Sequence, residues 1–153
     1  MNTEGHESAA RIEPANAGDM AAIAALLQTA ELPHEDFAPH LGSFFVARSG
    51  GEVVGAVGAE RGATDALLRS LVVAPAWRGR GLGGELLHRI DAAAGRGVRR
   101  WWLLTTTAEA FFAQRGFRVT AREAAPAAIA ATREFRELCP SRAVCMTRER
   151  STT

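Results

Sequence analysis

The segment with the most chemical potential runs Leu71-Val72-Val73-Ala74-Pro75-Ala76-Trp77-Arg78-Gly79-Arg80-Gly81-Leu82-Gly83-Gly84. An apolar strand enters a glycine-rich loop, and the loop opens a helix. Such a turn aims several backbone N–H groups and the positive end of the helix dipole at one point. Glycines keep side chains out of the way of a closely approaching anion, so phosphate binding is the natural use. A Walker loop is excluded, because all 18 basic residues are arginine and that motif needs a lysine. Gly79-x-Gly81-x-x-Gly84 matches a dinucleotide-binding fingerprint in form, but context argues against it. It lies mid-chain, five residues after the strand that ends at Val73. The next strand ends Leu104-Thr105-Thr106-Thr107, without a carboxylate to hold a ribose.

The elements that must position this loop follow from apolar periodicity. Met20, Ile23, Leu26 and Leu27 recur at helical spacing after Asp19, a plausible N-cap, and Pro33 closes the helix. A short second helix is expected over His34 to Leu41, with both histidines at the surface. Phe44 to Arg48 and Glu52 to Ala59 read as a β-hairpin across Ser49-Gly50-Gly51. Ala66 to Val73 is a strand, and Gly83 to Ala94 a helix ended by Gly95 and Gly97. Val98 to Thr105 is a strand, Ala108 to Gln114 a short helix, and Phe117 to Arg122 a strand. A helix over Ala127 to Leu138 opens at Pro126, and Ala143 to Thr147 is the last strand. The order ααβββαβαβαβ describes an α/β protein, an α+β mixed-sheet sandwich.

Composition narrows the function classes. The chain has 153 residues, 47% hydrophobic and 23% charged, with net charge +1, which fits one globular domain over residues 11–150. Residues 1–10 carry no apolar signal core and are expected to be disordered, so a cytoplasmic protein is the expectation. No apolar stretch approaches the roughly 20 residues of a membrane span. The near-zero charge speaks against a nucleic-acid partner. Cys139 and Cys145 are too few for a disulfide framework and read as having no joint role. Four scattered histidines give no metal signature. Tyrosine is absent, so no phenol can act as a catalytic acid.

Arg78-Gly79-Arg80-Gly81-Leu82-Gly83 after a Leu-x-Val-x-Pro strand resembles the signature of the GNAT superfamily of acetyl-CoA-dependent N-acetyltransferases. The likeness extends to the element order of nearly the whole chain and to Phe111-Phe112-Ala113-Gln114-Arg115-Gly116-Phe117, similar to the family's aromatic helix end. Three segments, Leu67 to Val73, Leu103 to Phe112 and Cys139 to Met146, resemble the small acetyltransferases associated with bacterial arsenic resistance. Thr105-Thr106-Thr107 followed by a helix also resembles the acetyltransferase domain of N-acetylglutamate synthases.

The resemblance implies a GNAT fold and acetyl-CoA as cosubstrate. The pyrophosphate would sit on the backbone of Gly79, Arg80, Gly81, Leu82, Gly83 and Gly84, with Arg78 and Arg80 adding charge. The backbone of Leu71, Val72 and Val73 would pair with the pantetheine arm. An amine would attack the thioester directly, with Glu60 as candidate base and Thr106 as a candidate acid. Phe112 stands where many relatives carry a tyrosine. Arg69, Ser70, Thr105, Thr107 and Arg142 are the candidate substrate residues, and Arg69 suits a carboxylate as well as it suits a structural ion pair. One threonine of the run would cap the following helix. The implied acceptor is a small, amino-acid-like amine with an acidic end, arsenical or phosphinate mimics of glutamate included. The insertion Ala124 to Ser141 could cover the substrate side, and a monomer or homodimer would serve. A non-catalytic acetyl-CoA-binding sensor is the alternative, motivated by Phe112.

Overall fold

Strand formation begins earlier than apolar periodicity suggests. In the computed structural model, which describes residues 10–138 and 141–150, Arg11–Pro14 already forms β1. The remaining strands are β2 (Phe44–Ser49), β3 (Glu52–Arg61), β4 (Asp65–Val73), β5 (Arg100–Thr105), β6 (Arg118–Val119) and β7 (Val144–Glu149). The helices are α1 (Met20–Thr29), α2 (Leu82–Ala94), α3 (Glu109–Ala113) and α4 (Ala127–Ala130). The strands hydrogen-bond in the order β1-β2-β3-β4-β5-β7-β6, a mixed sheet within an α/β fold. The described residues group into two compact units: one holds residues up to 59 with 70–93, the other 60–69 with 94 onward.

In the first unit, β1 and β3 flank β2 antiparallel, with Arg11 opposite Arg48 and Phe44 opposite Gly58. Gly50 and Gly51 turn the hairpin with φ of 58° and 86°, values that favour glycine in two-residue turns. The core gathers Ile23 and Leu27 of α1 with Phe37, Phe44, Val46, Ala56 and Val72. Leu86 of α2 comes so near β3 that a Cβ on Gly55 would lie 3.1 Å from its Cδ1. Arg89 of α2 donates to the Ile12 carbonyl at 2.8 Å and stacks on the Phe45 ring.

Three local expectations change here. Asp19 does not cap α1. Asn16 caps the 3-10 turn Ala17–Asp19, and the Asp19 carboxylate forks onto Arg48 at 2.9 and 3.1 Å. Nor does Pro33 end α1. The helix stops at Thr29 by a reciprocal closure in which Glu31 donates to Gln28 and Leu32 to Leu27, with Glu31 left-handed at φ 61°. In place of the second helix, Ala38–Ser43 forms 3-10 turns, with Pro39 unable to donate an amide. His34 and His40 are half-buried.

In the second unit, β5 runs parallel to the start of β4, with Asp65 opposite Arg100. β7 pairs antiparallel with both β5 and β6. Leu67, Trp102, Ile129, Phe135 and Cys145 form its core. The buried Asp65 accepts from Trp102 Nε1 at 2.7 Å, Thr64 Oγ1 at 2.9 Å and Arg100 Nε at 3.2 Å. The helix expected over 127–138 breaks in two. Thr132 turns its hydroxyl onto the Ile129 carbonyl at 2.7 Å, and the chain resumes as a π-helical turn, Glu134–Leu138. Cys145 is buried and unpaired, its thiol pushed up by burial, whereas Cys139 lies outside the described residues.

Candidate active site

β4 is regular only in part. Asp65 through Ser70 are all buried, and alternation between buried and half-buried begins only at Leu71. The change falls at Ser70, whose φ of 62° is left-handed inside a strand. A side chain held there costs about 1–2 kcal/mol, strain that its packed surroundings must offset. Beyond it, Leu71 and Val73 are half-buried while Val72 enters the core.

The chain then leaves the strand under backbone control. Ala74 donates to the Val54 carbonyl at 2.8 Å, Pro75–Trp77 makes one 3-10 turn, and Arg78 Nε returns to the Val73 carbonyl at 3.1 Å. Gly79 and Gly81 follow with φ of 79° and 83°, and a Cβ at either would meet nothing within 4 Å. These glycines serve conformation and leave open space beside the backbone. Gly81 accepts the Glu85 amide at 3.1 Å, so α2 starts on it, and the amides of Leu82, Gly83 and Gly84 open the helix without intrahelical acceptors. Arg78 and Arg80 are exposed on the same turn, with Arg80 stacked 4.7 Å above the Trp77 ring. One short stretch of the first unit therefore presents N–H donors, two guanidinium groups and a helix N-terminus.

The second unit holds the other candidates. Arg69 is fully buried between two carboxylates: Nη1 meets Glu60 at 2.6 Å and Nε meets Glu134 at 3.2 Å. Two sequence candidates, Glu60 and Arg69, are thus brought into direct contact. Glu134 was not singled out from the sequence. On a continuous helix its position lies well off the face that carries Ile129, and only the π-helical turn carries it inward. Thr105 caps the turn before α3 by accepting the Ala108 amide at 3.0 Å, while Thr106, Thr107 and Arg142 are exposed. Phe112 is buried and meets Phe111 and Phe117 edge-on, with centroids 5.1 and 5.4 Å away.

Elsewhere in the first unit, a groove of about 630 Å³ runs along α1 and the β2–β3 turn, lined by Asn16, Asp19, Leu26, Arg48 and Glu52 among others. It shares no residue with the loop. No helix among the described residues is long and apolar enough to cross a membrane. No group of three metal-ligating side chains occurs among them.

The family model of the acetyltransferase (GNAT) domain matches residues 40–119, from before β2 through the loop and α2 to β6. The chain belongs to the GNAT acetyltransferase family. Solved structures agree with this GNAT protein in fold. N-acetylglutamate synthase from Neisseria gonorrhoeae, complexed with coenzyme A and N-acetyl-glutamate, is 26% identical over 92% of this chain, with a TM-score of 0.79. Rv2747 from Mycobacterium tuberculosis, in complex with CoA, is 23% identical over 92% of this chain and 99% of its own, with a TM-score of 0.78. Ard1 from Thermoplasma volcanium is 20% identical over 92% and 97%, with a TM-score of 0.72. The chain spans about a third of the gonococcal enzyme, 35% of its length. No curated protein matches the sequence significantly.

Proposed function

We propose that this GNAT protein is an acetyl-CoA-dependent N-acetyltransferase whose acceptor is the amine of a small, amino-acid-like molecule. The observation that carries the reading is the turn from β4 into α2, with its two left-handed glycines, helix-opening amides and paired arginines. That donor set fits a diphosphate approached by backbone, and it needs no lysine. Gly79 to Gly84 would hold the diphosphate, with Arg78 and Arg80 neutralising charge. The backbone of Leu71 to Val73 would pair with the pantetheine arm, and one amide there would polarise the carbonyl. Acetyl-CoA supplies an activated acyl group: the amine nitrogen bonds to its carbonyl carbon, and the C–S bond breaks with its electron pair left on sulfur.

An α-amine with pKa near 8 is already roughly a tenth neutral at pH 7, so the base has modest work. Glu60 would take that proton, directly or through water. A thiol of pKa about 8.5 leaves acceptably as thiolate, which makes Thr106 or a solvent proton sufficient in place of a tyrosine. Ser70, Thr105, Thr107 and Arg142 would orient the polar end of the acceptor. We place the activity in the cytoplasm, in a monomer or homodimer, without a metal, nucleic-acid or membrane partner. Support for the acceptor class comes from the gonococcal structure, which binds CoA and N-acetyl-glutamate.

A second reading, a non-catalytic acetyl-CoA sensor, is favoured by Phe112, which cannot donate a proton and sits packed between Phe111 and Phe117. Thiol release from acetyl-CoA over a panel of α-amino acids, with phosphinate and arsenical analogues of glutamate, separates the two. The enzyme gives turnover, reduced in Glu60→Gln. Acetyl-CoA binding with no release from any amine leaves the sensor.

A further inference from the structure

The turn from β4 into α2 carries an aromatic ring beside its N–H donors, and the role of that ring rests on the acetyl-CoA reading above. Trp77 ends the 3-10 turn two residues before Gly79, its indole half-buried while Arg78 to Gly81 are exposed. The Arg80 guanidinium carbon lies 4.7 Å from the ring centroid, so the cation covers one face of the indole. Arg89, Arg100, Arg115, Arg122 and Arg148 also stack on rings, and each is anchored besides by donating to a carbonyl or carboxylate. Arg80 differs. Among the described residues no hydrogen bond or ion pair anchors its side chain, and the indole alone holds it. Its neighbours Gly79 and Gly81 are left-handed, and a Cβ at either would meet nothing within 4 Å.

A diphosphate at the loop offers Arg80 charge-assisted hydrogen bonds, which are stronger than a cation–π contact at an exposed site. The guanidinium then turns to the anion, and the ring face it leaves is flat and apolar. A nucleobase is planar as well, stands one ribose from the phosphates of a nucleoside diphosphate, and stacks readily on such a face. We infer that Trp77 is a specificity-determining residue for the acyl donor, its ring exchanging the Arg80 guanidinium for the purine of the nucleotide end of CoA. Arg80 reads the phosphates and Trp77 reads the base. The protein thereby prefers a donor that ends in a purine nucleotide to one that carries only a phosphorylated pantetheine arm. Trp101 and Trp102, buried in the core, cannot take this part.

The experiment compares calorimetric affinities for dephospho-CoA and pantetheine 4′-diphosphate, which differ by the adenosine. Wild type is expected to bind dephospho-CoA about tenfold tighter or more, equivalent to about 1.4 kcal/mol, within the range of one base stacked on an aromatic ring. Trp77→Leu is expected to shrink that ratio at least about threefold, while Trp77→Phe, which keeps a ring, retains most of it. Arg80→Gln weakens both ligands and leaves the ratio at or above its wild-type value. A merely structural role for Trp77 would weaken both ligands together and leave the ratio unmoved; thermal melts establish that each variant is folded. Equal affinities in wild type overturn the inference, as does an unchanged ratio in folded Trp77→Leu or a collapsed ratio in Arg80→Gln. If Trp77→Leu fails to fold, the wild-type ratio and Trp77→Gln decide. Acetyl-CoA bound without discrimination between the two test ligands sinks the stacking and leaves the acetyl-CoA reading standing. Failure of acetyl-CoA itself to bind sinks both.

Discussion

Gly58 faces Phe44 across the β2–β3 ladder, and the ring lies directly over it. A Cβ at position 58 would stand 2.2 Å from Cε1, 2.3 Å from Cζ and 2.6 Å from Cδ1 of that ring. Carbon atoms pack best at about 3.5–4.0 Å, so Gly58→Ala forces the ring to retreat by roughly 1 Å or more. It has little room to do so. Phe44 is 1% exposed, tilted against Phe37 at 5.5 Å and enclosed with Ile23, Leu27 and Val46. Overpacking of this kind costs about 1–3 kcal/mol. Against it stands a gain of about 0.5–1 kcal/mol that alanine has over glycine inside a strand. Contacts as short as 2.2 Å put the overpacking cost in the upper half of that range, so the expected balance is a loss of about 1–2.5 kcal/mol, and at this chain length a fall in Tm of roughly 2–10 °C. Urea and thermal unfolding read the loss. The partner substitution Phe44→Leu should rescue part of it, with a coupling of about 1 kcal/mol in the double-mutant cycle. Gly58→Ala as stable as wild type, or more so, would refute the reasoning, because the two terms have opposite signs.

Glu31→Gly should stabilise the protein by about 0.5–1 kcal/mol, since glycine accepts the left-handed closure of α1 without a Cβ penalty; a raised urea midpoint with unchanged slope is the measurement. Gly81→Ala in the open loop should weaken acetyl-CoA binding about tenfold by calorimetry, because the left-handed backbone would be strained by about 1–2 kcal/mol; unaltered affinity would remove the loop from the site. The fork onto Arg48 holds the Asp19 carboxyl below its ordinary value, so the folded pKa lies under the unfolded one. Its contribution to stability is whole above the unfolded value of about 3.9 and is lost as pH falls through the folded value. Asp19→Asn should therefore flatten the acid limb of a stability-versus-pH curve; an unaltered limb would show that this pair does not report on folding.

Signals confined to a few neighbouring residues were legible in the sequence. The Gly50-Gly51 hairpin, the start of α2 beyond Gly81 and the strand before the loop all follow from residues that force local geometry. What depended on distant partners was not. β1 has too few residues for alternation to register, and it exists because β2 offers it an edge. Asp19 looks like a cap until Arg48, far along the chain, takes its carboxylate. The alanine-rich stretch after Pro126 reads as one helix, although Ile129 and Phe135 would not share a face of it, and their common burial signals the break at Thr132. The same limit explains the site. The glycine-rich turn lies in one continuous segment, so its conformation could be read outright, whereas the partners of Arg69 come from β3 and from a π-helical turn whose presence no local pattern announces.

The stacking of Arg80 on Trp77 gives the protein an optical signal of its own. With tyrosine absent, excitation on the long-wavelength side of phenylalanine absorption falls on tryptophan alone, and Trp101 and Trp102 are sealed in the core. Trp77 is the half-buried indole of the three, and the cation above its ring belongs to the turn that would receive a diphosphate. An arginine drawn toward that anion uncovers the ring beneath it. Emission from Trp77 would then follow occupancy of the loop in real time, without any attached dye.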